Sequence, residues 1–322
     1  MKYTNNSDIP LALSVWLATD DYQHNDDPMT VSVTSLLRPT KQVILGSRVP
    51  DEVTDISSNM AARMGTAYHE AIEKAWINNH ANALSDLGIP KRVIDAIRIN
   101  PIDNIEGDSI PIYLEKRTDK EIEGWTVSGQ FDMVLEGRVC DIKSTSVYTY
   151  IKKSKDKDYI EQGSIYRWLN QDIITGDDMS IFYIFPDWNA LKSKTEKGYP
   201  PHKMMEYKLP LLSLGETEAL LRTRLGLLSK YMNSPESDIP ECTSKELWMD
   251  PPKFAYYKNP DKKSRSTKNF DTAVEAYERL SKDGNTGVVE ERKSIAKACT
   301  YCSGVTECNQ AKRLIAEGRL VL

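Results

Sequence analysis

Apolar positions along the chain change their period several times, and each change marks a different kind of element. Over residues 60–78, Met64, Tyr68, Ile72, Ala75 and Trp76 recur three and four apart, which predicts a helix with one apolar stripe. From about Ile110 the spacing becomes two. The segments IPIYLEKR (110–117), WTVSGQFDMVLEG (125–137) and RVCDIKS (138–144) predict three strands, the last two joined at a turn around Glu136-Gly137. Helical spacing returns over 158–174. SIFYIFPDW (180–188) and KMMEYKLP (203–210) predict two further strands, and a long helix is expected from about Leu212 to Met232. This order suits an α/β domain in which a central mixed sheet is flanked by helices. After Pro240 the chain turns to Pro-, Lys- and Cys-containing segments. A boundary is therefore expected there, between a 1–240 core with a helical N-terminal part and a cysteine-rich 241–322 region that packs on it.

Charge alters this picture locally rather than globally. With 42 Lys+Arg against 47 Asp+Glu, the net charge of −5 argues against a histone-like or tail-type nucleic-acid binder. Two runs are nevertheless basic. Residues 143–167 hold six Lys/Arg against three Asp/Glu, and residues 253–268 hold six against one. The first run is expected as a loop; it contains Lys152 and Lys153 and is interleaved with Tyr148, Tyr150 and Tyr159, a mixture suited to phosphate contact and base stacking on single-stranded DNA. No apolar run approaches the ~20 residues of a membrane span, and the polar start has no signal pattern, so a cytoplasmic protein without a membrane partner is expected. There is no Gly-x4-Gly-Lys-Ser/Thr phosphate loop, hence no nucleotide-driven motor.

Cysteine usage is uneven. Four of the five cysteines (Cys242, Cys299, Cys302 and Cys308) fall in the last quarter of the chain. Without a secretory signal, clustered thiols point to metal rather than to disulfides. Cys299-x2-Cys302-x5-Cys308 has the close first pair of a metal loop, and Cys242 supplies a distant fourth thiolate. Four thiolates suit either tetrahedral zinc or an iron–sulfur cluster. Cys140 is set aside because it falls on the core side of its strand.

In the strand Val139–Lys143, alternation puts Asp141 and Lys143 on one face and Cys140 and Ile142 on the other. A carboxylate beside an amine can hold a hard cation and place positive charge near a phosphate. On the preceding strand Phe131, Met133 and Leu135 share an apolar face and Asp132 points away, so a hairpin would bring Asp132 and Asp141 together. Gln162 and Tyr166 lie one turn apart on the following helix, where an amide and a phenol can reach a phosphate or a base. His69 follows a helix glycine, Gly65, by one turn. Each feature alone more readily has a plain reading: a solvated strand face with a salt bridge for Asp141 and Lys143, a partly buried hydrogen-bonded pair for Gln162 and Tyr166, and a structural histidine for His69.

In order, Gly65-x-x-x-His69, Gly129-Gln130-Phe131-Asp132, Asp141-Ile142-Lys143 and Gln162-x-x-x-Tyr166 resemble the PD-(D/E)xK nuclease superfamily, in its RecB/Cas4-like branch, and within it the stand-alone phage-type exonucleases. The resemblance spans about residues 30–210. It implies a restriction-endonuclease-like core and a metal-dependent DNA exonuclease working in phage or recombination-type DNA processing, with a replication or recombination protein as a possible partner. His69, Asp132, Asp141 and the Ile142 carbonyl would ligate Mg²⁺ or Mn²⁺, Asp132, Asp141 and Lys143 would be catalytic, and Gln162 and Tyr166 would contact DNA. Glu115, upstream on a predicted strand, is a candidate for an additional acid but is left outside this set. Phe131 stands where the superfamily name has proline. The branch also implies a [4Fe–4S] cluster built from a C-terminal cysteine triplet and one N-terminal cysteine. Residues 1–139 contain no cysteine, so Cys242 would have to take the distant role. The alternatives are a Cas4-like processing subunit acting with a partner, and a structure-specific endonuclease.

Overall fold

The computed structural model describes residues 3–19, 27–49, 53–102 and 107–322. They form two compact units, Met1–Leu37 with Asp51–Gly226, and Arg38–Pro50 with Leu227–Leu322.

The first unit is built on a seven-stranded mixed sheet. Its neighbours run Ile97–Ile99, Ile110–Ile122, Trp125–Leu135, Arg138–Ser144, Asp178–Ile184 and Met204–Pro210, and Thr30–Ser32 pairs alongside Trp125–Leu135. Two antiparallel joins set the register of the middle strands. Ile122 faces Trp125 across Glu123-Gly124, and Leu135 faces Arg138 across Glu136-Gly137. In both turns the two central residues have positive φ (52° and 75°, then 48° and 77°), the left-handed pair that a two-residue hairpin of the twisted sheet requires. The first hairpin carries its leading strand to Ile122, well beyond the 110–117 segment that alternation alone suggests.

Side-chain alternation reverses in the middle of this hairpin. Ile112 and Leu114 join Met133 and Cys140 in a core cluster against Ile72 and Trp76 of the long helix Met60–Asp86. Thr118 and Lys120, an even number of residues further on, instead meet Asn170 and Trp168 at the end of the helix Asp156–Leu169. That helix covers the opposite face, because Gly163 within it packs against Met179 while Phe182, three residues along the same strand, packs on the Ile112 cluster. The reversal occurs at Glu115, whose φ is +47°. Phe131 and Met133 are thus both buried, but the strand does not present one continuous apolar face as simple alternation predicts.

Close approach of the Asp156–Leu169 helix to the sheet depends on glycine. A Cβ at Gly129 would stand 2.6 Å from Leu169 Cδ1, 2.8 Å from Val33 Cγ2 and 3.2 Å from Tyr166 Cδ1. Gly129→Ala is therefore expected to destabilise the protein by about 1–3 kcal/mol, the usual cost of overpacking a filled core. Gly65→Ala, whose new methyl meets nothing within 4 Å on the long helix, is expected to be neutral or stabilising by up to about 1 kcal/mol. Urea unfolding of the two variants checks the contrast.

In the second unit, Lys253–Tyr257 is the middle strand of a three-stranded antiparallel sheet between Lys268–Phe270 and Val288–Arg292, with the helix Ala273–Lys282 packed on it through buried Ala276. The basic 253–268 run is thus two strands and their connection. The unit also takes in the helix Thr40–Arg48 and ends with Asn309–Ala316. Lys41 is buried and pairs with Glu236 at 2.6 Å.

Candidate functional site

The two hairpins bring Glu115, Asp132 and Asp141 into one row across three neighbouring strands. By the register on either side, Glu115 falls opposite Asp132, and Asp132 opposite Asp141. The backbone ladder is interrupted along this row. Glu115 leaves it by its left-handed conformation, and the second pairing stops at Met133 and Cys140. In place of the next rung, the Ile142 N–H donates to Asp132 Oδ2 at 2.7 Å. The strands part here, and carboxylates fill the opening.

His69 reaches the row from the helix Met60–Asp86. Its Nδ1 lies 3.4 Å from Glu115 Oε1 and 3.4 Å from Asp132 Oδ1, and its Nε2 lies 3.2 Å from the Ile142 carbonyl. Among the described residues, His69, Glu115 and Asp132 are the set of metal-capable side chains whose ligand atoms all lie within 4.8 Å of one another. The hydrogen bond to Glu115 holds the His69 pKa up at about 9 against the effect of burial, with Asp132 adding to the rise. Burial, and then the neighbouring Asp141, push Asp132 up to about 7. Glu115 is held in turn by Gln130, which donates to Oε2 at 2.9 Å and accepts from Arg117 at 3.1 Å.

Asp141 lies outside that close set. It is 2% exposed, and its Oδ2 is 2.6 Å from Lys143 Nζ. Its Oδ1 is buried and accepts no hydrogen bond. Burial works to lower the Lys143 pKa, but Asp141 and Asp132 together raise it above the usual lysine range. Three carboxylates are thus gathered around two cationic side chains, and one buried oxygen is left without a donor. Such a site favours a cation.

Gln162 and Tyr166 stand next to this group. Gln162 donates to the Tyr166 hydroxyl at 2.9 Å, and Tyr166 is 6% exposed with its ring over Gly129. That burial closes the ring to base stacking. The segment after Lys143 is partly ordered as a short helix, Val147–Lys152, rather than a loop throughout. Tyr159 is buried. Lys152 and Lys153 are exposed.

In the second unit Cys242, Cys299, Cys302 and Cys308 line one cavity of about 30 Å³ together with Leu45 and Leu247. Gln310 ties Cys242 to the last helix by accepting from its N–H (2.9 Å) and donating to its carbonyl (2.8 Å). A Cβ at Gly304 would lie 2.5 Å from that of Leu45, so the cysteine loop is pressed onto the helix Thr40–Arg48. Burial pushes the thiols of Cys242 and Cys299 up to about 12 and 11. Cys140 sits apart, inside the Ile112 core cluster.

No protein-family model and no curated protein matches the chain. Among solved structures, the crystal structure of SSO0001 aligns over 64% of this chain and 79% of its own at 18% identity, with a TM-score of 0.39. A phage-related exonuclease from Haemophilus somnus aligns over 66% of this chain and 96% of its own at 13% identity, with a TM-score of 0.30. At these scores neither likeness bears on the function. Among the described residues no helix is long and apolar enough to cross a membrane.

Proposed function

We propose that the protein is a Mg²⁺- or Mn²⁺-dependent deoxyribonuclease of the PD-(D/E)xK type, RecB/Cas4-like branch, acting from DNA ends. The observation that carries this reading is the Glu115–Asp132–Asp141 row, with His69 at one end and Lys143 at the other, at a point where the sheet ladder opens. Carboxylates and the Ile142 carbonyl are hard oxygen donors suited to these cations, the borderline imidazole of His69 would add one nitrogen ligand once deprotonated, and the undonated Asp141 Oδ1 fits a cation nearby. His69, Asp132, Asp141 and Ile142 would hold the ion, with Glu115 as a further ligand. Once bound it would supply an activated water and a polarised phosphate. Lys143, beside Asp141, sets positive charge where the phosphate gains negative charge. Asp132 fixes the Ile142 peptide through its N–H and so holds the carbonyl that faces His69. Gln162, half-buried and held by its bond to the buried Tyr166 hydroxyl, would touch a phosphate beside the site, with Tyr166 acting through it.

Cys242, Cys299, Cys302 and Cys308, which line one cavity, would hold an iron–sulfur cluster, with tetrahedral zinc as the alternative, because four thiolates suit either. Its role would be structural, closing the second unit around its cavity.

Incubation with end-labelled linear and closed circular DNA, with Mg²⁺ or Mn²⁺, tests the reading. Degradation of linear DNA alone is expected. Cleavage of circles would make the protein an endonuclease, and cleavage of neither would leave a DNA-binding subunit that depends on a partner.

A further inference from the structure

The strand that carries Asp141 and Lys143 runs almost directly into the helix Val147–Lys152. Two bonds fix the junction: Thr145 N–H donates to the Ile184 carbonyl at 3.1 Å, and Val147 N–H donates to Asp187 Oδ1 at 2.9 Å. Val147 is buried, and Lys153 ends the helix in the left-handed conformation. The helix is therefore a rigid continuation of the catalytic strand.

Its two sides differ sharply. Inward, Tyr150 packs edge-on against Tyr183 and Tyr207, with ring centres 5.9 and 5.5 Å away. Outward, Tyr148 is 65% exposed and Ile151 43% exposed. Lys152, one turn on, holds its ammonium 5.5 Å from the centre of the Tyr148 ring. The neighbouring acids are already engaged: Asp156 by Tyr207, Asp158 by Lys155 and Glu161 by Lys157. Among the described residues no carboxylate pairs with Lys152 or Lys153. The outer face thus combines an aromatic ring, an aliphatic flank and the Lys152 ammonium, while exposed Lys153, at the helix end, holds its ammonium 6.0 Å from the centre of the Tyr207 ring; neither cation is matched by an acid. Five residues of backbone separate Tyr148 from Lys143, at most about 18 Å and so only a few nucleotides along a strand.

We propose that Tyr148 is a base-stacking platform, with Lys152 and Lys153 on the adjoining phosphates, so that the nucleic acid beside the site is held as an unpaired strand. The proposal rests on the nuclease reading for its direction and deepens it, since a paired duplex offers no free base face to an exposed ring except at its end. Stacking belongs to Tyr148 alone among the four tyrosines of this run, because Tyr150 packs inward and Tyr159 and Tyr166 are buried.

Equilibrium binding in the presence of chelator tests this without cleavage, using a labelled oligothymidylate, an abasic strand of the same length and a blunt duplex. The wild type is expected to bind the oligothymidylate about ten-fold more tightly than the abasic strand. Tyr148→Ala should abolish that preference while leaving abasic binding unchanged, and Tyr148→Trp should preserve it. Lys152→Glu with Lys153→Glu should weaken both strands alike and flatten the salt dependence. Equal binding of the two strands by the wild type, or a preference that survives Tyr148→Ala, overturns the proposal. A Tyr148-dependent preference in a protein that cleaves no DNA would sink the nuclease reading and keep the platform; cleavage with no base preference would do the reverse.

Discussion

Asp141→Ala is expected to lower DNA cleavage by at least about a thousand-fold, because several kcal/mol of transition-state stabilisation by a bound cation correspond to that factor or more. Asp141 is the most enclosed acid of the row, it holds Lys143, and one of its oxygens has no donor. Asp132→Ala should have an equal effect on turnover for a partly different reason. It removes a carboxylate from the His69 and Glu115 set and also leaves the Ile142 N–H without its acceptor. Asp132→Asn separates the two contributions, since an amide oxygen can still accept from Ile142 while the charge is gone. Lys143→Ala should fall with them. Turnover on linear DNA, measured beside urea unfolding of each variant, is the check. Near-wild-type activity in Asp141→Ala would remove the row from the reaction.

A comparable loss is expected in stability when the thiol site is broken. If the four thiols hold the proposed cluster, Cys299→Ser or Cys308→Ser should lower the iron content and lower the melting temperature by about 10 °C or more, because a structural metal group contributes its binding free energy to folding. Both cysteines line the cavity that Cys242 and Cys302 also face. Cys140→Ser is the internal control. It lies in the Ile112, Leu114 and Met133 cluster and should leave the metal content unchanged. Analysis of iron, zinc and acid-labile sulfide per chain, together with melting curves, decides the matter. Zinc without iron would overturn the cluster assignment.

Much of the site is visible in the sequence because strands report their own geometry. The alternation around Asp141 and Lys143, and the Glu136-Gly137 turn, suffice to place Asp132 across from Asp141. Glu115 is harder to see, but a signal for it exists. Glu123-Gly124 has the same form as Glu136-Gly137, and pairing Ile122 with Trp125 across it sets Glu115 opposite Asp132. What no local pattern reveals is the left-handed backbone at Glu115, which reverses the alternation and turns Arg117 and Gln130 toward the His69 side. The second unit was less legible for a different reason. Its helix Thr40–Arg48 comes from far upstream, and its strands are only three to five residues long, too short for a period of two to stand out among lysines and prolines. The sorting of Tyr148, Tyr150 and Tyr159 into one exposed and two interior rings likewise depends on tertiary packing around Tyr183.

On the proposed function, the His69, Glu115, Asp132 and Asp141 group works through a divalent cation on DNA. The most direct measurement is degradation of end-labelled linear DNA by the purified protein as Mn²⁺ is titrated into a chelated sample. Cleavage that is absent in chelator, rises with Mn²⁺ and is missing at every concentration in Asp132→Asn is the expected result. Cleavage that persists undiminished in chelator, or that Asp132→Asn retains in full, would contradict the account.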